Sequence, residues 1–150
     1  MEQALKEVHV YIEDSAETAY AVPVGQPGPG LLIEAQPIEH CAVSGDRAAA
    51  IKRLAAALDR AAATSARLRN VPEFEHWDGN DEQLWISNRL YMTIAWYNTR
   101  VVITERGRLP PPEGYHLPEW EDVGQDSFMT SVTAEEIAEL VLSYLDEEEA

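Results

Sequence analysis

Six side chains in VPEFEHWDGNDE are of the types that chemistry needs: Glu73, Glu75, His76, Asp78, Asp81 and Glu82. Carboxylates beside an imidazole can hold a divalent metal. Two carboxylates in different environments can serve as acid and base in glycoside hydrolysis. The spacing supports neither strongly. Asp78-Gly79-Asn80-Asp81-Glu82 lacks the D-x-D/N-x-D/N-G order of a calcium loop and the glutamate six positions after its glycine. Nothing in the pattern sets one carboxylate apart from another. A solvated acidic loop accounts for the same residues, so no metal or cofactor is assigned.

Cys41 is the one cysteine, and it follows His40 in an apolar run. Neighbouring residues on a strand point to opposite faces, so His40 is not the base for a Cys41 nucleophile. His9, His76 or His116 would have to reach it through the fold. A small buried thiol is the simpler reading. The sequence has no G-x-S-x-G, C-x-x-C, H-E-x-x-H or dinucleotide fingerprint. Gly25-Gln26-Pro27-Gly28-Pro29-Gly30 lacks the pattern of a phosphate loop and the helix that must follow one. It reads as a turn-rich connection.

Two stretches interleave acids with large aromatics. Phe74 and Trp77 lie among Glu73, Glu75, Asp78, Asp81 and Glu82, and Tyr115 and Trp120 lie among Glu113, Glu119, Glu121 and Asp122. Rings supply contact area and acids supply steering and register, a combination that suits recognition of a basic protein. The competing reading has the rings turned inward, fastening their loops to the core. From these stretches we take Phe74, Glu75, Trp77, Asp78, Asp81, Glu82, Tyr115, Glu119, Trp120, Glu121 and Asp122 as the expected partner-binding residues.

Charge points the same way. Eleven basic residues against 27 acidic ones give a net charge of −16, and only residues 46–70 are positive, with six bases and two acids. Such a field repels nucleic acid and anionic membrane and attracts basic surfaces. Arg53, Arg60 and Arg67, seven residues apart, form a stripe that could meet the acidic C-terminus, a second copy or an acidic ligand, though a solvated face is the simplest reading. Direct binding of nucleic acid is not expected.

The elements that must position these residues are mostly readable. Asp46–Arg69 is a long Ala-rich helix: Ile51, Leu54, Leu58, Ala61, Ala62, Ser65 and Leu68 line one face, Asp46 caps it, and Asn70 and Pro72 end it. Thr133 and Glu136 form a capping box for a second helix over 134–146, with Val132 and Ile137 as its staple. Asp146 to Glu149 place acids at the negative end of its dipole, so 147–150 is expected to fray. Lys6–Asp14 alternates as a half-buried strand, with Val8, Val10 and Ile12 on one face and His9, Tyr11 and Glu13 on the other. Tyr20–Val24 is a second strand, placed at an edge or bulge by Pro23. Leu31–Glu34 and Ile38–Val43 are short strands. Leu84–Glu105 reads as a meander that includes a strand at Leu84–Ile86. Arg108–Asp126 reads as a proline-stiffened loop.

These elements predict one α+β domain over residues 1–150, with an antiparallel sheet of about five to six strands packed by the two helices. One cysteine fits a reducing compartment, the N-terminus lacks the features of a signal peptide, and no apolar run would span a bilayer. A cytoplasmic protein without membrane attachment is expected. The function expected is a non-catalytic, acidic binding module that masks a basic partner. Its concrete forms are an immunity protein against a nuclease-type toxin or a phage-encoded inhibitor of a nucleic-acid-binding defence protein. The alternatives are a small acidic secretion chaperone acting as a homodimer, and a small hydrolase using Glu, Asp and His of the 73–82 loop.

Overall fold

Val8, Val10 and Ile12 have no measurable exposure, and the strand that carries them lies near the middle of the sheet. The computed structural model describes residues 4–28, 30–75, 88–109, 112–115 and 119–149. The expected strand at Leu84–Ile86 therefore lies outside the described residues. The elements are β1 (Lys6–Glu13), β2 (Thr18–Gly28), β3 (Leu31–Glu34), β4 (Glu39–Ala42), α1 (Arg47–Arg67), β5 (Asn88–Trp96), β6 (Val101–Leu109), β7 (Glu119–Phe128) and α2 (Ala134–Glu149). The sheet runs β3-β2-β1-β5-β6-β7, with β4 also paired to β2, and every pairing is antiparallel. Both helices lie on the face that presents Val8, Val10, Ile12, Met92, Ile94 and Ile103, so the expected α+β architecture is present.

Three features depart from the sequence reading. β2 is an interior strand, with β1 on one side and both β4 and β3 on the other. Pro23 is tolerated because it sits where the neighbour changes from β4 to β3. The Ala35 N–H donates to the Pro23 carbonyl at 2.9 Å, so the side of Pro23 that lacks a donor faces that junction. Residues Gly25–Gly28, expected as a turn, continue β2 across a register shift. Most consequentially, the second half of the expected Arg108–Asp126 loop is β7, paired to β6 from Val101↔Phe128 to Leu109↔Glu119.

The helix signals hold in detail. The Asp46 carboxylate accepts from the Ala49 N–H at 3.0 Å, and Ala50, Leu54, Leu58, Ala61, Ala62 and Ser65 form the buried face. At α2 the Thr133 N–H donates to the Glu136 carboxylate at 3.0 Å, while the Glu136 N–H donates to the Thr133 hydroxyl at 3.1 Å. Thr133→Ala removes one half of this reciprocal cap and should cost about 1 kcal/mol, read as a lower urea midpoint with an unchanged slope. Helical backbone runs on to Glu149, and Arg47, in the first turn of α1, pairs with Asp146 at 2.6 Å. The arginine stripe is exposed, as a solvated face would be, and its side chains bond within the chain. Arg53 donates to the carbonyls of Ala42 and Ser44, Arg60 pairs with Glu39, and Arg67 donates to Thr64. The first two thereby fasten β4 and its exit to α1. Among the described residues no helix is long and apolar enough to cross a membrane.

Candidate functional site

The β7 strand carries the most exposed acidic stretch of the described structure. Antiparallel pairing with β6 holds it at the end of the sheet, and each residue from Glu121 to Ser127 is exposed. Glu119–Phe128 contains four acids and no base. Val123 is the extra residue of a bulge, because Glu105 opposes Gly124 whereas Arg106 opposes Asp122. The Val123 side chain lies across Gly107, where an added Cβ would meet its Cγ1 at 2.6 Å, and it still remains 53 % exposed. Arg106 pairs with Asp122 at 2.8 Å, and among the described residues no ion pair forms at its neighbour Glu121. Asp126 accepts a hydrogen bond from the Tyr144 hydroxyl and so ties β7 to α2. Beyond it, Phe128, Val132 and Leu140 floor an open hollow of about 320 Å³, with Glu136 and Glu139 among its lining. Apolar walls with carboxylates suit the stem and head of a lysine or arginine.

The other expected partner-binding residues are dispersed. Tyr115, in a turn closed by its own N–H donating to the Pro112 carbonyl, projects with 72 % of its surface exposed. Glu119 and Trp120 lie in β7, opposite Leu109 and Arg108. Phe74 is half-buried, its ring seated on Gly25 of β2, where a Cβ would lie 2.6 Å from Cζ. Glu75 is exposed, and its carbonyl accepts from the Gln36 N–H at 2.8 Å. Trp77, Asp78, Asp81 and Glu82 lie outside the described residues, as does His76. The two stretches are therefore not brought together by their described members. β2 and β7 are four strand spacings apart, roughly 19 Å along the sheet.

A second constellation was not readable as a unit in the sequence. On the face of the sheet away from the helices, His9 Nε2 lies 2.8 Å from Glu7 and Nδ1 lies 3.0 Å from Glu34. The Tyr11 hydroxyl donates to the same Glu34 oxygen at 2.7 Å, and the Tyr91 hydroxyl lies 3.2 Å from Nδ1. Tyr11 and Tyr91 stack at 4.6 Å, with the Arg106 guanidinium over the Tyr91 ring. Strand alternation places Glu7, His9 and Tyr11 on one face, but Glu34 comes from β3, which no local pattern joins to β1. Tyr11 is 1 % exposed, so β1 is buried on both faces here rather than half-buried.

Burial alone would pull the His9 imidazole down. Hydrogen bonds to Glu34 and Glu7, and the charges of both, outweigh it and lift the pKa from 6.5 to about 9. His9 is thus an imidazolium at neutral pH, donating from both nitrogens, and is not poised as a general base. Tyr11 is pushed up by burial first and then by Glu34, so it stays protonated and keeps donating. The two carboxylates flank opposite nitrogens of the ring instead of converging on one point. Among the described residues no group of three or more His, Cys, Asp or Glu is placed to hold a metal ion. Cys41 packs with the helix-side core, across the sheet from His9, so the two do not form a nucleophile–base pair. Burial pushes its thiol up against the opposing pull of Arg53 and Arg60, which keeps it protonated. The cluster binds β3 to β1; chemically it is an ion-paired latch. No family model matches this chain, and no curated protein or solved structure is significantly similar to it.

Proposed function

We propose that this chain is a non-catalytic binding module that masks a basic protein, with the β7 end of the sheet as its contact surface. The observation that carries the reading is the unbroken exposure of Glu121–Ser127 on a strand with four acids and no base. Tyr115 supplies an exposed ring, and the hollow beside Phe128 supplies a seat for a cationic side chain. An immunity protein for a nuclease-type toxin, or a phage-encoded inhibitor of a nucleic-acid-binding defence protein, needs such a surface, because carboxylates then stand where phosphates would bind. The net charge of −16 speeds encounter with a basic target and rejects nucleic acid itself.

The test compares the wild-type chain with Glu121→Lys/Asp122→Lys. Both positions are exposed, and the ion pair lost among the described residues, Arg106–Asp122, is of the surface kind worth about 0–1 kcal/mol, so the fold should persist by circular dichroism. Each protein is used to capture partners from the source cytosol at low and high salt, and the captured protein is then purified and assayed with and without this chain. The expected result is one basic protein in stoichiometric amount, inhibited by the wild type and released by the double variant. A partner held equally by both, or one whose activity is unaffected, would overturn the reading.

A further inference from the structure

Among the described residues β7 pairs with β6 alone, and Glu121–Ser127 are exposed on both faces, with α2 reaching them through Tyr144 at Asp126. A strand in that position presents a row of backbone N–H and C=O groups directed outward. Proteins commonly blunt such edges with proline, lysine or a very short strand, and Glu119–Phe128 has ten residues, no proline and no lysine. Its protective devices are the bulge at Val123 and the four acids, which oppose an acidic strand but not a basic one. On either side of it, Glu119–Asp122 and Gly124–Phe128 keep regular pairing to β6, and each is long enough to template a short strand.

The charge of the strand selects its occupant. A second copy pairing β7 to β7 would bring twice four acids and no base to one seam, and like charges facing one another across a sheet are destabilising. An extended segment bearing lysine or arginine at alternate positions would instead face Glu121 and Asp126, which share one face of β7, while its backbone completes the hydrogen bonds that β7 leaves directed outward. Val123 on β7 and Met129 just beyond it, 53 % and 77 % exposed, add apolar surface beside these acids.

We infer that the basic partner is engaged by β-strand addition: an extended, lysine- or arginine-bearing segment pairs with the outer edge of β7 and extends the sheet. This rests on the preceding reading of β7 as the contact surface and adds the backbone as the means of recognition.

A short peptide of alternating lysine and valine is the probe. Its control is the same peptide N-methylated at consecutive central residues, which keeps the charge but lets neither edge pair. The unmethylated peptide should bind and slow hydrogen exchange at alternate amides within Glu121–Ser127. Methylation should weaken binding at least tenfold, on the order of 1.4 kcal/mol, the scale of one or two backbone hydrogen bonds. Equal binding of the two peptides, or slowed exchange elsewhere than β7, would overturn strand addition while leaving charge-driven masking of a basic partner intact. Failure of both peptides to bind would overturn it too. The charge-reversal experiment with the captured partner judges the broader reading separately.

Discussion

His9→Leu should lower the stability of the protein by about 2–3 kcal/mol, between the about 0–1 of an exposed ion pair and the about 3–5 of a fully buried one, since these side chains are partly buried. The substitution takes away the cation that, among the described residues, contacts both Glu7 and Glu34, and leaves two carboxylates facing a partly desolvated gap. Tyr11 would still donate to Glu34, so the damage is uncompensated charge rather than a wholly lost network. Adding Glu34→Gln should recover part of the loss, since it removes one of the stranded charges. The pH dependence has a definite sign. With its folded pKa raised to about 9 from 6.5, His9 contributes fully below about pH 6.5, and the contribution disappears as pH rises through about 9. The ceiling on that contribution is about 3 kcal/mol. Urea midpoints measured from about pH 6 to about pH 10 should therefore fall in the wild type by more than in His9→Leu. The difference between the two curves excludes the general repulsion of an acidic chain. Parallel curves would show that His9 is not charged in the folded protein.

The helices were legible because each is specified by its own residues. Ten alanines, the spacing of Leu54, Leu58 and Ala61, the Asp46 cap and the Thr133–Glu136 box are local signals, and each appears in the structure as read. β7 was not legible for the opposite reason. EWEDVGQDSF has few of the residues that favour strands and follows a run of prolines, so its local preferences point to loop. What makes it a strand is the exposed edge of β6, whose apolar start, Val101–Ile103, fixes the register by drawing Phe128 toward the core. Pro23 misled in a related way. The rule that proline avoids interior strands concerns a missing donor, and here two short strands share one side of β2, leaving a junction where none is needed.

The candidate site divides along the same line. Glu121, Asp122 and Tyr115 were identifiable by composition, because exposure is the default for such residues in Gly/Pro-rich surroundings. Their arrangement on a strand edge was not, because it depends on pairing between segments. Glu7, His9 and Glu34 are each ordinary in the sequence. They become a unit only when β3 is laid beside β2, which brings Glu34 opposite Val24 and within reach of β1.

The junction of β1, β2 and α1 carries the second large expected effect. β1 and β2 pair from Ile12↔Ala19 to Val8↔Pro23 and then separate, and the Ser65 hydroxyl occupies the gap. It accepts from the Glu7 N–H at 2.8 Å and donates to the Val24 carbonyl at 2.7 Å, standing in for a ladder bond that the splayed strands no longer make. Past it, Gln26 and residues 68–70 exchange backbone bonds, the Gln26 N–H to Leu68 and the Asn70 N–H to Gln26, so the end of α1 is held where β2 diverges. Ser65 is fully buried. Ser65→Val fills the same space with methyl groups and strands a buried N–H and a buried carbonyl, each worth about 1–3 kcal/mol, so a loss of about 3 kcal/mol is expected. Ser65→Ala should cost less, because the smaller side chain leaves room for a bridging water between the same two polar groups. The order Val worse than Ala reverses what side-chain hydrophobicity alone would give. It should appear in urea midpoints and in faster amide exchange at Gln26 and Asn70. If valine were tolerated as well as alanine, the strands would be closing on each other, and the hydroxyl would not be what holds the helix end between them.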